Sequence, residues 1–115
     1  MKIKRQQQQQ DLGIIALIGD PDPNDADRLR REAKDHLGHH GRDIIIDLNQ
    51  ARGLNSRTLE TLLAIQEEVS EHLGRLILAN TPAVVEQILH VTRLNQRFEQ
   101  VPTLDDAVAR LREAA

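Results

Sequence analysis

The chain of 115 residues carries a net charge of −3 and contains no cysteine, tryptophan or tyrosine and a single phenylalanine. That length fits one domain spanning residues 1–115 with an aliphatic core, and the missing cysteines exclude disulfide frameworks and thiolate metal sites, so a reducing, cytoplasmic setting is expected. The acidic balance and absent aromatics argue against a nucleic-acid platform, and the longest uncharged apolar stretch, about seven residues around Gly13 to Gly19, is too short for membrane insertion.

The opening MKIKRQQQQQ, residues 1–10, reads either as a flexible glutamine-rich tail or as an edge strand, whose side chains need only be polar where both faces meet water. Asp11-Leu12-Gly13 offers a tight turn, which would pair Lys2 to Gln9 with the apolar run Ile14 to Ile18 as a hairpin. Asp20-Pro21-Asp22-Pro23-Asn24 is loop chemistry ending in a capping residue, Asp22 or Asn24. Residues 24 to 37 then form an amphipathic helix, with Ala26, Leu29, Ala33 and Leu37 on one face and Gly38 as its stop.

Ile44, Ile45, Ile46 and Leu48 make a continuous apolar run of the kind that suits a central parallel strand covered on both faces. A polar loop, Asn49 to Leu54, leads to Asn55-Ser56, short polar side chains able to cap a helix start. From there Leu59, Leu62, Leu63, Gln66, Val69 and Leu73 give one stripe with a single polar break, and Gly74 closes the helix. Strand, loop and helix place the Ser56 hydroxyl at the carboxyl edge of a sheet, where open α/β sheets bind ligands and partners.

Arg75 to Ala79 reads as a second buried parallel strand, and Asn80-Thr81-Pro82 starts a third helix with Val84, Val85, Ile88, Leu89 and Val91 as its apolar positions. Arg97-Phe98-Glu99 is at most a short last strand. Thr103-Leu104-Asp105-Asp106 has the form of a capping box, and Leu104, Ala107, Val108 and Leu111 supply the stripe of a final helix. Such alternation implies an α/β domain with a mostly parallel sheet of four or five strands, right-handed crossovers and about four helices packed mainly on one side.

Side chains with metal or acid–base chemistry do not converge in sequence. His36, His39 and His40 straddle Gly38 and read as solvated loop histidines, while Asp20, Asp22, Asp25 and Asp27 read as loop and first-turn charges. There is no glycine-rich phosphate loop, nucleophile elbow or cysteine nucleophile, so no catalytic residue, metal or cofactor is expected.

The succession of IIIDL, a loop, Asn-Ser at a helix start, GRLILAN and TPAVVEQILHVTRLNQRFEQVPTLDDAV resembles the STAS domain of bacterial anti-sigma factor antagonists over nearly the whole chain. That family's signature is an Asp-Ser-Ser/Thr-Gly-Leu segment whose first serine is phosphorylated by a kinase that is itself the anti-sigma factor. Here the serine falls on Ser56 and the leucine on Leu59, whereas Asn55, Arg57 and Thr58 replace the aspartate, the second hydroxyl residue and the glycine, and Arg93 stands where a glycine usually precedes Leu94.

The resemblance implies phosphorylation at Ser56 and a partner-binding surface of Asn55, Ser56, Arg57 and Thr58 with the neighbouring Asp20 and Asp22. Its partner would be a kinase-like ATPase acting as anti-sigma factor, with no direct nucleic-acid contact, and a homodimer stays open. Two functional readings follow. One is a cytoplasmic, non-enzymatic antagonist switched by serine phosphorylation; the other is an unmodified STAS scaffold or accessory subunit of a stress-signalling complex or an ATP-driven transporter. Arg57 adds bulk beside the hydroxyl but would pair well with a phosphate, while the plainest alternative has Ser56 merely capping its helix, worth about 1 kcal/mol.

Overall fold

The computed structural model describes residues 1–6, 12–39 and 41–113. Its elements are β1 (Lys2–Arg5), β2 (Leu12–Ile18), α1 (Asp25–His39), β3 (Asp43–Asp47), α2 (Ser56–Glu71), β4 (Leu76–Ala79), α3 (Ala83–Val91), β5 (Glu99–Val101) and α4 (Leu104–Glu113). The five strands lie in sequence order in one sheet, with β1 antiparallel to β2 and every other pair parallel.

The run of isoleucines forms the centre, as its uninterrupted hydrophobicity requires. Ile45 lies opposite Ile14 on one side and Ile77 on the other, and Ile44, Ile45 and Ile46 are completely buried. Strand periodicity sends successive side chains to opposite faces. Ile44, Ile46, Ile15, Leu17 and Leu78 meet Leu29 and Ala33 of α1, Leu62, Ile65 and Val69 of α2, and Val85 and Leu89 of α3. Ile45, Ile14, Ile77 and Val101 meet Ala107 and Leu111 of α4. Three helices therefore cover one face and α4 alone covers the other.

Several local expectations are corrected. The hairpin exists, with Lys2 opposite Ile18 and Arg5 opposite Ile15, but β2 already begins at Leu12, so Leu12 and Gly13 are strand and not turn. The edge-strand reading of the first ten residues holds for Lys2–Arg5, whereas Gln7 to Gln10 lie outside the described residues.

Gly38 does not stop α1, which continues to His39. One glycine inside a helix costs only about 1 kcal/mol, and tertiary packing outweighs it here. Part of that packing is His36, which is fully buried and whose Nε2 lies 3.0 Å from the Asp43 carbonyl. It is no solvated loop residue. A Cβ at position 13 would fall 2.8 Å from its ring, so Gly13 makes the room. His39 is exposed, His40 lies outside the described residues, and among the described residues no group of three or more His, Asp or Glu is placed to hold a metal ion.

The buried face of α2 is Thr58, Leu59, Leu62, Ile65 and Val69, so the stripe passes through Ile65 and leaves Leu73 83% exposed. Leu73 is the left-handed residue that ends the helix, with φ 62°, donating to the Ser70 carbonyl at 2.9 Å, while Gly74 donates to the Val69 carbonyl at 2.9 Å. This pair of bonds is a Schellman motif. Gly74 serves a different need, because a Cβ there would sit 2.0 Å from the Arg42 carbonyl oxygen. The end of α3 repeats the motif with Arg93 at φ 62° and Leu94 donating to the Leu89 carbonyl at 2.8 Å. Only Val85 and Leu89 of α3 are buried; Val84 and Val91 are exposed.

Phe98 precedes β5 and is buried in the core. The start of α4 is capped by Thr103, whose Oγ1 accepts from the Asp106 amide at 3.1 Å. At the amino edge of the sheet Glu99 receives Arg75 in a two-pronged bond and Arg110 at 3.2 Å. Burial pushes the Glu99 carboxyl up, but the hydrogen bonds and charges of the two arginines outweigh it and hold the group below the usual carboxylate range.

Candidate docking surface at the carboxyl edge

Three loops leave the carboxyl ends of β2, β3 and β4, and main-chain bonds hold the first two together. Gly19, at φ 91°, donates to the Gln50 carbonyl at 2.8 Å and accepts from the Arg52 amide at 2.9 Å, forming a parallel bridge with Ala51 beyond the ends of β2 and β3. The third loop is tied in by Asp47, whose Oδ1 accepts from the Asn49 amide and from Asn80 Nδ2, each at 3.1 Å. The bridge brings the Asp20 to Asp22 segment to the loop that leads into Ser56.

The helix cap belongs to Asn55 and not to Ser56. Asn55 has extended backbone angles, and its Oδ1 accepts from the Thr58 amide at 2.8 Å and from the Thr58 hydroxyl at 2.9 Å. Ser56 is thereby the first helical residue, and it is exposed. Thr58 is 1% exposed, so its side chain secures the cap from below and stays out of reach of a docking partner.

Arg57 is exposed, and its guanidinium lies 3.9 Å from Asp27 on α1. Arg52 lies 3.8 Å from Asp20 across the bridged loops. Asp22 opens α1 with an arrangement close to a capping box: its Oδ1 accepts from the Asn24 amide at 2.9 Å, and its own amide donates to Asp25 Oδ2 at 3.0 Å. The first turn of α2 has no acidic residue. Around the hydroxyl Arg52 and Arg57 stand beside Asp20, Asp22 and Asp27, a mixed edge with one more aspartate than arginine, and among the described residues no hydrogen bond joins Ser56 to a base. Such an arrangement can accept a modification and present a charge-patterned face.

Sequence reasoning brought Asp20, Asp22, Asn55, Ser56 and Arg57 to one surface but missed Arg52 and Asp27. Both are placed by the contacts between β2, β3 and α1, and neither stands out in its own segment.

Residues 4–107 match the family model of the STAS domain. The chain belongs to the STAS domain family. Its fold is that of the anti-sigma factor antagonist SpoIIAA in its unphosphorylated form, with a TM-score of 0.85, 18% identity and 97% of each chain covered. The Bacillus cell fate determinant SpoIIAA in the phosphorylated form gives a TM-score of 0.75 at 17% identity, over 95% of this chain and 98% of that one. A sulfate transporter family protein from Wolinella succinogenes gives 0.76 at 15% identity, over 89% of this chain and 85% of that one. At these identities the likeness establishes the fold of this STAS domain, a mixed sheet whose one antiparallel pair is β1 with β2. No helix among the described residues is long and apolar enough to cross a membrane.

Proposed function

We propose that this STAS domain is a non-enzymatic regulatory module of the cytoplasm, an anti-sigma factor antagonist. It docks a kinase-like anti-sigma factor through the edge formed by Asn55, Ser56, Arg57, Asp20 and Asp22, and phosphorylation of Ser56 switches docking off. One observation carries the reading: Asn55 does the capping, which leaves an exposed Ser56 hydroxyl with no structural task of its own. A phosphate brings about −1.5 to −2 charges at neutral pH to an edge where the aspartates already outnumber the arginines by one, enough to turn a mixed surface strongly negative against a partner. The SpoIIAA likeness, with phosphorylated and unphosphorylated forms of that protein, supports the same assignment.

The test is capture from cell lysate with the wild type, Ser56→Asp and Ser56→Ala as baits. The aspartate variant is expected to lose the anti-sigma factor and the alanine variant to keep it. Both should melt with the wild type, because the cap is on Asn55 and an aspartate in the first turn suits the helix dipole. Equal capture by all three, with Ser56 unmodified in cells, would refute the switch. That result would favour the second reading, an unmodified scaffold or accessory subunit of a stress-signalling complex or transporter, for which the Wolinella succinogenes likeness and the loss of the motif's glycine to buried Thr58 speak.

A further inference from the structure

Arg57 and Asp27 stand at the same edge as Ser56, on different helices. Their charged atoms are 3.9 Å apart, and the side chains are 61% and 79% exposed. A pair that long and that wet adds little to stability and is held mainly by the absence of a better partner for the arginine. A phosphomonoester on the adjacent residue would be such a partner, because it offers three acceptor oxygens and about twice the charge of a carboxylate, in a geometry the guanidinium fork matches with two parallel bonds. The two side chains leave the first turn of α2 about 100° apart, so the long arginine stem has to swing back along the turn to meet the phosphate.

We propose that phosphorylation of Ser56 draws Arg57 away from Asp27 onto the phosphoryl oxygens, and so leaves the exposed Asp27 carboxylate at the start of α1 without its counter-charge. The inference rests on Ser56 being the modified residue of the reading above, and it adds what the modified edge displays. The phosphate is partly neutralised by its own neighbour, and the Asp27 carboxylate one helix away loses the positive charge beside it. A partner resting on α1 can therefore sense the modification without touching residue 56. Of the other charges nearby, Asp22 is engaged with the Asn24 amide, Arg52 is 3.8 Å from Asp20 across the bridged loops, Asp25 is 2.9 Å from the Met1 amino group, and Glu60, one turn after Ser56 on α2, is exposed and repels a phosphate there.

The experiment places phosphoserine at position 56 by amber suppression in the full chain, so neither a kinase nor a partner is needed. The second ionisation of the phosphate is followed by phosphorus NMR in the wild type, Arg57→Gln and Arg52→Gln. An unperturbed phosphoserine loses its second proton near pH ~6. Arg57→Gln is expected to raise the proton affinity of the phosphate by about threefold or more, and by at least twice the effect of Arg52→Gln, which removes the same charge from the same edge. The carbon resonance of the Asp27 carboxylate should differ between unmodified wild type and unmodified Arg57→Gln, and the two should converge once both carry the phosphate. Equal effects of the two glutamine variants, or none from Arg57→Gln, would mean that only long-range charge is felt and would overturn the handover. Because capture plays no part in the titration, the proposed switch and this arrangement can fail separately.

Discussion

Replacing Arg93 by glycine should stabilise this domain. Arg93 occupies the left-handed region at φ 62°, where it donates to the His90 carbonyl at 3.1 Å in the motif that ends α3. A side chain with a Cβ costs about 1–2 kcal/mol in that conformation. Glycine removes the cost but gives back part of it through the greater freedom of the unfolded chain, about 0.4–1 kcal/mol. The Arg93 side chain is exposed and has no hydrogen bond or ion pair among the described residues, so nothing else is lost. The net gain is about 0.5–1 kcal/mol, a rise in Tm of roughly 2–6 °C for a domain of this size. Thermal unfolding by circular dichroism measures it, with Arg93→Ala as the control that keeps the Cβ and should leave Tm nearly unchanged. Leu73→Gly, at the matching position of α2, should give a similar rise and add to the first. If the glycine and alanine variants of Arg93 melt together, the left-handed conformation is not the source of the cost and the reasoning fails.

Two further outcomes follow from the caps and the charge network. Asn55→Ala should cost about 0.5–2 kcal/mol in urea unfolding, because the Thr58 amide and hydroxyl both lose their acceptor, whereas Ser56→Ala should lie within ~0.5 kcal/mol of the wild type. Glu99 has a lowered folded pKa, so the stability it contributes is present above its unfolded pKa and is lost as the pH falls through the folded value. Glu99→Gln should therefore flatten part of the acid limb of a stability–pH curve. The effect should be no more than about 1 kcal/mol, since Arg75 and Arg110 are more than one-third exposed.

The architecture was legible because its signals were redundant. Ile44 to Ile46 admits no face that could meet water, and the stripes of α1 and α4 agree with the cap residues that precede them. What escaped depended on groups distant in sequence. Nothing near Gly38 announces that α1 continues, because the compensating contact of His36 is made with Gly13 and Asp43 on two strands. Leu73 looks like the last apolar position of a stripe, and only the bonds from Leu73 and Gly74 reveal it as the turn residue. At the site, Asn55 and Ser56 are equally good caps by type, and it is Thr58, offering both an amide and a hydroxyl, that decides for Asn55. Arg52 and Asp27 enter the site through the bridge between Gly19 and Ala51 and the packing of α1 beside α2, which a linear reading cannot supply.

That bridge also bears on how such a surface can diversify. The loops under Asp20 and Arg52 are fixed by amide and carbonyl groups, while the two side chains are 77% and 75% exposed and joined only by a contact of 3.8 Å. The charges that the edge displays and the bonds that shape its loops therefore belong to separate atoms. Duplicated copies of such a gene could exchange the signs of these two residues, each copy keeping its fold while acquiring its own partner. A reversed pair, Asp20→Arg with Arg52→Asp, is the natural starting point for an insulated signalling channel built on this scaffold.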